Sequence, residues 1–167
     1  FGAPQAAAAA AAAIMAFGLA NALSIAVPLG GIAGALLSVG ALVAIAGRRA
    51  SLTVTLLAGL ALASLAGAAI ALILNLAPNP YIALEIAFWL LGSLRDRSME
   101  HVWLAAPFMI ASWVILAFNA GAFRALTLGE DAAASLGVNV ERTRVLVVIG
   151  VALGVGAAVS VAGAISF

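Results

Sequence analysis

Residues 126–144, with the sequence LTLGEDAAASLGVNVERTR, form a polar segment that holds five of the thirteen charged side chains of this chain. The whole chain is 66% hydrophobic and 8% charged, so a polar segment of this length stands apart. Its carboxylates and guanidinium groups can form ion pairs with another protein, or they can stabilise the caps of a solvated connector. Both roles are open at this point. The groups are Glu130, Asp131, Glu141, Arg142 and Arg144.

The rest of the sequence offers few groups for catalysis or metal binding. The chain has no cysteine and one histidine, His101, which lies at the edge of an apolar run. Disulfides and thiolate chemistry are therefore excluded, and a transition-metal site has almost no ligands. We predict a non-enzymatic protein with no catalytic residue, cofactor or metal ligand. A net charge of +1 gives no basic field for nucleic acid.

Hydropathy and charge distribution indicate an integral membrane protein. The mean hydropathy is +1.28, and the runs 1–47, 50–84, 102–123 and 145–167 carry no charged residue. A bilayer core requires about 20 apolar residues per helix, so the first run accommodates two spans and each other run one. We predict an all-α membrane protein, a polytopic bundle of about five transmembrane helices in one domain. The predicted spans are about 4–23, 29–47, 52–76, 102–122 and 140–164.

The charge-free runs argue against several classes of transporter. Proton-driven carriers, pumps with a carboxylate relay and retinal proteins place ionisable groups at membrane depth, and these runs hold none. A transport protein of this kind would take its energy from a partner. The chain begins at Phe1 without Met and ends in AGAISF, so we expect an internal piece of a longer protein. No charged segment precedes the first run, so a secretory signal is not predicted.

Prolines and glycines set most of the predicted helix boundaries. Pro28 and the Gly30–Gly31 pair separate the first two spans, and the prolines of NLAPNPY end the third. The next apolar stretch is short and has polar ends, which predicts a surface helix at about 82–92. Pro107 is expected to interrupt the fourth span.

The polar segment itself has the local signals of a helical hairpin. Thr127 and Glu130 fit a capping box, and Asp131 adds negative charge to the first turn of a short helix at about 128–136. Gly137 then occupies a position for a left-handed stop, and Asn139 can cap the following span. The sequence therefore predicts a rigid hairpin.

Arginine distribution predicts the orientation in the membrane. Five alternating spans place five arginines on one face and two on the other, and the richer face is expected to be cytoplasmic. The hairpin then projects into the cytoplasm, and the helix at 82–92 lies outside. The larger group is Arg48, Arg49, Arg124, Arg142 and Arg144, and the smaller is Arg95 and Arg97.

These motifs resemble a known family. LGEDAAASLGVNVERTR is similar to the cytoplasmic coupling segment of the FecCD-like permeases, the membrane subunits of type II ABC importers for iron-siderophores, haem and cobalamin. GAISF at 163–167, LLAGLAL at 56–62 and FWLLGSL at 88–94 also resemble segments of that family. The resemblance covers nearly the whole chain, about the third to the seventh of the family's ten spans. The family's motif before the third span and its last three spans are absent.

The resemblance implies a role for each polar segment. The hairpin would be the coupling helix that enters a cleft on the ATPase, with its acids making polar contacts and its arginines flanking the cleft or pairing with the acids. Small hydroxyls in the link before the third span, Ser51 and Thr53, would narrow a cytoplasmic gate or simply cap a helix. Arg95, Arg97 and Glu100 would contact an external binding protein or belong to a solvated loop. The implied coupling residues are Leu128, Gly129, Glu130, Asp131, Ser135, Leu136, Gly137, Arg142 and Arg144.

The family therefore implies a permease subunit of the bacterial inner membrane that works by alternating access. Its implied partners are cytoplasmic ABC ATPases, a periplasmic or lipoprotein substrate-binding protein, a second permease copy and the lipid bilayer. An iron-siderophore is the expected substrate, with haem and cobalamin as alternatives. ATP hydrolysis belongs to the partner, because the chain has no Walker-type phosphate loop. A membrane scaffold without a transport pathway is the alternative of another class.

Overall fold

The computed structural model describes residues 2–18, 26–47, 52–92 and 99–164. Within these ranges the regular structure is entirely helical, which agrees with the predicted all-α class. Long apolar runs favour helices because a helix satisfies its own backbone hydrogen bonds in lipid. The helices are α1 Ala3–Ala16, α2 Ala26–Ala46, α3 Leu52–Asn75, α4 Pro80–Leu90, α5 Met99–Phe118, α6 Ala120–Leu126, α7 Glu130–Ser135 and α8 Val140–Ala162.

Four of the described helices, α2, α3, α5 and α8, are long and apolar enough to cross a membrane. The first predicted span, 4–23, differs: α1 has 14 residues and ends at Ala16. It ends there because the Gly18 N–H donates to the carbonyl of Met15, three residues back, and because Gly18 has a left-handed φ of 71°. A helix of this length covers about 21 Å, less than a bilayer core. Residues 19–23 lie outside the described residues.

Two of the expected proline effects are wrong. α2 begins at Ala26 and includes Pro28, because proline fits the first turn, where the N–H has no helical partner. The predicted span 102–122 divides into α5 and α6, and Pro107 lies inside α5. The break is at Asn119, whose side chain Nδ2 donates to the Ile115 carbonyl across 2.7 Å and whose N–H turns to the Leu116 carbonyl.

The remaining predicted boundaries differ from the structure by at most two residues. The prolines of NLAPNPY end α3 at Asn75 and also begin α4. Pro80 occupies the first turn of α4, and Asn79 caps that helix by accepting the Ile82 N–H across 2.9 Å.

α8 packs between α2 and α5 through small residues. Along α2, Gly31 faces Ser160 and Ala35 faces Gly156, so the two helices run antiparallel at close approach. On the α5 side, Ser112 Oγ donates to the Gly150 carbonyl across 2.7 Å at a buried position. Glycine and serine allow such approach because packing, rather than the hydrophobic effect, holds helices together in lipid.

The outer helices present apolar surface. Over an apolar stretch of 18 residues in each span, 39% is buried in α2 and in α8, against 11% in α3 and in α5. α3 carries a row of exposed leucines that includes Leu56, Leu60 and Leu72. These side chains suit lipid or another membrane helix, and α2 and α8 form the centre of this part of the bundle.

Candidate functional site

The polar segment forms a helical hairpin that connects α6 to α8 at one end of the bundle. The predicted capping box is wrong: Thr127 ends α6, where its Oγ1 donates to the Arg124 carbonyl across 2.7 Å. Gly129 takes the N-terminal position of α7 with φ 101° and ψ 159°. Only glycine adopts this backbone readily, so the chain turns there and α7 begins at Glu130 rather than at 128.

The second half of the hairpin follows the prediction. Gly137 has φ 85°, and the Val138 N–H donates to the Ala133 carbonyl across 3.0 Å, which is a Schellman motif. Asn139 caps α8 by accepting the Arg142 N–H across 2.9 Å. Ser135 Oγ donates to the carbonyl of its own helix. The hairpin is therefore held by its own backbone at both turns.

An ion pair closes the hairpin. Arg144 Nη2 donates to Glu130 Oε1 across 2.6 Å, from the second turn of α8 to the first turn of α7. The Arg144 side chain is 21% exposed and that of Glu130 is 57% exposed. Both acids of α7, Glu130 and Asp131, lie in its first turn, where the helix dipole favours negative charge.

The outer face of the hairpin, which comprises α7 and the residues that flank it, combines exposed leucines with an exposed acid. Leu128 and Leu136 are 67% and 65% exposed, while Ala133 on the inner side is fully buried. Asp131 and Arg142 are also exposed. Large apolar side chains beside charged groups are typical of a surface that docks another protein. This face is therefore the strongest candidate interface within the described residues.

A cavity of about 370 Å³ lies behind the hairpin, between α3 and α8. Its lining is mostly apolar, with valines from α8 and Phe123 and Leu126 from α6. Thr55, Thr143 and the two members of the ion pair supply its polar groups. The sequence did not single out Thr55 or Thr143, because isolated threonines in a span are ordinary and only the fold brings these two to one cavity.

The other predicted site residues belong to other elements than the hairpin or lie outside the described residues. Thr53 is exposed in the first turn of α3, and Glu100 is exposed in the first turn of α5, at the opposite end of that helix from the hairpin. Ser51, Arg95 and Arg97 lie outside the described residues. His101 lines a separate apolar cavity of about 280 Å³ between α5 and α8.

Known proteins resemble the chain along its whole length. The sequence model of the FecCD transport family matches residues 1–167. The uncharacterized ABC transporter permease protein YvrB of Bacillus subtilis is 36% identical over 117 residues, which are 70% of this chain and 33% of that protein. The Fe(3+) dicitrate transport system permease protein FecC of Escherichia coli is 33% identical over 67% of this chain and 33% of its own length.

Further relatives are the hemin transport permease HmuU of Yersinia pestis and the vitamin B12 import permease BtuC of Vibrio cholerae. A solved structure described as an inward-facing metal-chelate type ABC transporter superposes with a TM-score of 0.82 at 24% identity. It covers 99% of this chain and 52% of its own, and it shows the fold. The chain spans about a third of the length of the curated relatives it matches.

Proposed function

Because the chain belongs to the FecCD transport family, we propose that it forms part of the permease of an ABC importer, with its helical hairpin as the contact for the ATPase. The observation that carries the proposal is the face of α7. Asp131 is exposed in the first turn of a short helix that an ion pair and its own turns hold in place, and the exposed Leu128 and Leu136 flank that helix. A rigid, partly apolar helix between two membrane spans is suited to receive force from another protein.

The proposed mechanism is alternating access. ATP binding draws two cytoplasmic ATPases together, each ATPase moves the α7 that is docked on it, and the hairpin converts that movement into a tilt of the spans. The described spans contribute no ionisable group to the energy supply at membrane depth; their polar side chains are hydroxyls such as Ser112 and Ser160. We assign the energy supply to the partner ATPase and the role of a transport subunit to this chain.

Orientation and partners follow from the arginine distribution. Arg124, Arg142 and Arg144 lie at the hairpin end, which we place in the cytoplasm of a bacterial inner membrane. Glu100 then lies at the outer face, where a substrate-binding protein would dock. Thr53 lies at the cytoplasmic start of α3, beside the gate that a second permease copy would complete.

The substrate class is proposed as a metal chelate, in the first place an iron-siderophore complex. The names of three relatives contain ferric dicitrate, hemin and vitamin B12, and each of these compounds holds a metal inside an organic ligand. Haem and cobalamin are therefore the alternatives. Uptake of each chelate by the full-length transporter with its cognate binding protein, in proteoliposomes loaded with ATP, distinguishes among the three.

Co-purification of the ATPase tests the role of the hairpin. Leu136→Asp in the full-length protein places a charge in the exposed face of α7, and we expect the bound ATPase to fall about tenfold or more, as for loss of a central apolar contact. Leu76→Asp is the matched control, because Leu76 is 72% exposed at the opposite end of the bundle. It should retain the ATPase.

Two results would contradict the proposal. Retention of the ATPase by Leu136→Asp would exclude α7 as the main contact. Absence of any ATPase from the wild-type complex, together with no ATP-dependent uptake, would favour the scaffold function over transport.

A further inference from the structure

α8 runs from the hairpin to the opposite end of the bundle and has close contacts at both of its ends. It has 23 residues and contains no proline, so it forms an uninterrupted rod of about 34 Å. Its first turns belong to the hairpin, and Gly163, which follows its last residue, lies beside α4. The contacts at its two ends and along its length decide what a movement of the hairpin does.

The first contact is the ion pair between Arg144 and Glu130. It connects α8 with α7 independently of the chain turn at Gly137, so α7 is held to α8 from two sides. α7 has only six residues, and a helix of this length has little stability of its own. The position of α7 relative to α8 therefore depends on Arg144.

The second contact is a backbone approach at the other end of α8. Gly163 ends the helix with φ 83°, and a Cβ atom at this position would collide with the Trp89 carbonyl oxygen and lie 2.8 Å from Gly92 Cα. The end of α8 therefore touches the end of α4 backbone to backbone. A side chain at position 163 would separate the two helices and would also strain the left-handed backbone.

Contacts along its length make α8 move as part of a larger unit. Gly156 fits against Ala35 of α2, and the Ser112 hydroxyl of α5 bonds to the Gly150 carbonyl. Near the hairpin, α8 borders a cavity of about 370 Å³ that Thr55 of α3 also lines. A displacement of the hairpin can therefore carry α8 together with α2 and α5, because close-packed interfaces shift as units.

We propose that Arg144 and Gly163 are positioning residues that make α8 a strut between the hairpin and the short helix α4. Movement of an ATPase on α7 then reaches the surface around α4 through a single helix, and docking of a binding protein near α4 is reported back to the ATPase along the same path. This inference rests on the proposed function, since it takes α7 as the ATPase contact and α4 as the outer surface.

The test uses the full-length transporter in nanodiscs with its ATPase and its binding protein. The readout is the factor by which the binding protein stimulates ATP hydrolysis, taken as a ratio on one preparation so that the amount of folded protein cancels. Arg144→Gln should keep the ATPase bound and reduce this factor about fivefold or more, the usual scale of coupling between two sites. The matched control is Arg124→Gln, an exposed arginine at the same end, which should leave the factor unchanged.

The charge swap Glu130→Arg with Arg144→Glu distinguishes positioning from simple loss of charge. Restoration of at least about half of the stimulation is expected, because the swap rebuilds the same link. Failure of the swap, with each single variant defective, would overturn the assignment of Arg144 as a residue that acts through Glu130.

Gly163→Ala tests the other end of the strut. It should reduce the stimulation by a similar factor, whereas Gly67→Ala should not, because a Cβ at Gly67 meets open space. The double variant Arg144→Gln with Gly163→Ala should be no worse than the more defective single variant, since both interrupt one path. If the losses of the two single variants multiply in the double variant, the two residues act independently and the strut is overturned.

Two further results separate the inference from the proposed function. An unchanged stimulation factor in the single variants, with the ATPase bound, would overturn the inference alone. A wild-type complex without ATPase would overturn the proposed function and the inference together.

Discussion

Arg144 and Glu130 are fourteen residues apart in the chain, and their side chains meet across 2.6 Å. This ion pair changes the interpretation of the hairpin. The resemblance implied polar contacts of Glu130 with an ATPase and allowed the arginines to pair with the acids, and in the structure the Glu130 carboxylate bonds to Arg144 of α8. Exposed beside the pair are Leu128, Asp131 and Leu136, of which two are apolar.

The first prediction concerns the local stability of α7. Glu130→Gln should accelerate amide hydrogen exchange in residues 130–136 by roughly fivefold, the factor that corresponds to about 1 kcal/mol for a half-exposed ion pair. The global melting temperature should hardly change, because the pair lies at the edge of the bundle. Asp131→Asn is the matched control, since Asp131 is an exposed carboxylate in the same turn. Equal acceleration in both variants would contradict a specific role for the ion pair.

The second prediction concerns the buried hydroxyl between α5 and α8. Ser112→Ala removes the 2.7 Å hydrogen bond to the Gly150 carbonyl and should lower the free energy of unfolding by about 0.5–1.5 kcal/mol, the scale of interhelical hydrogen bonds in membranes. Ser64→Ala should have a smaller effect, because that exposed hydroxyl bonds only to the Leu60 carbonyl of its own helix. Thermal unfolding of both variants in one detergent provides the comparison, and equal shifts would refute the prediction.

The third prediction concerns the close approach of α2 and α8. Gly156→Ala places a Cβ atom 2.8 Å from Ala35 Cβ, and neither atom can move without its helix. Overpacking of this kind should cost about 1–3 kcal/mol of unfolding free energy. Gly40→Ala in α2 is the control, because a Cβ atom at this position meets open space. This substitution should be neutral or stabilising by up to about 1 kcal/mol. The reverse order of stabilities would show that the two helices are not in this contact.

Sequence patterns identify helices well here because apolar runs and turn residues act locally. The prolines of NLAPNPY determine where α3 ends and α4 begins, and the cap at Asn139 determines where α8 begins. Both signals can be read from neighbouring residues. α1 shows the limit of such signals. Its apolar run continues past Ala16, and only the left-handed backbone at Gly18 ends the helix early.

The errors occur where two local solutions compete. Thr127 can cap a following helix or end a preceding one, and the unusual backbone of Gly129 decides between them. Pro107 and Asn119 can each break a span, and the side-chain bond of Asn119 to the Ile115 carbonyl makes it the break. The ion pair between Arg144 and Glu130 depends on the geometry of the whole hairpin, so no pattern of spacing within one helix predicts it.

The fourth prediction concerns orientation in the membrane. The chain contains no cysteine, so single cysteines can be introduced as unique labels within it. A membrane-impermeant thiol reagent added outside intact spheroplasts should label Leu76→Cys and not Leu136→Cys, because the arginine-rich hairpin end is predicted to be cytoplasmic. Labelling should reverse in inside-out vesicles. Outside labelling of Leu136→Cys would invert the proposed topology.

Site-specific photocrosslinking in living cells tests the central claim most directly. A photoreactive amino acid replaces Leu136 in the full-length protein, and the same amino acid replaces Leu76 as the control, since both positions are strongly exposed at opposite ends of the bundle. Illumination should join position 136 to an ABC ATPase subunit, identified by mass spectrometry, and should give no ATPase adduct at position 76. An ATPase adduct at position 76, or none at position 136, would contradict the assignment of the hairpin as the ATPase contact.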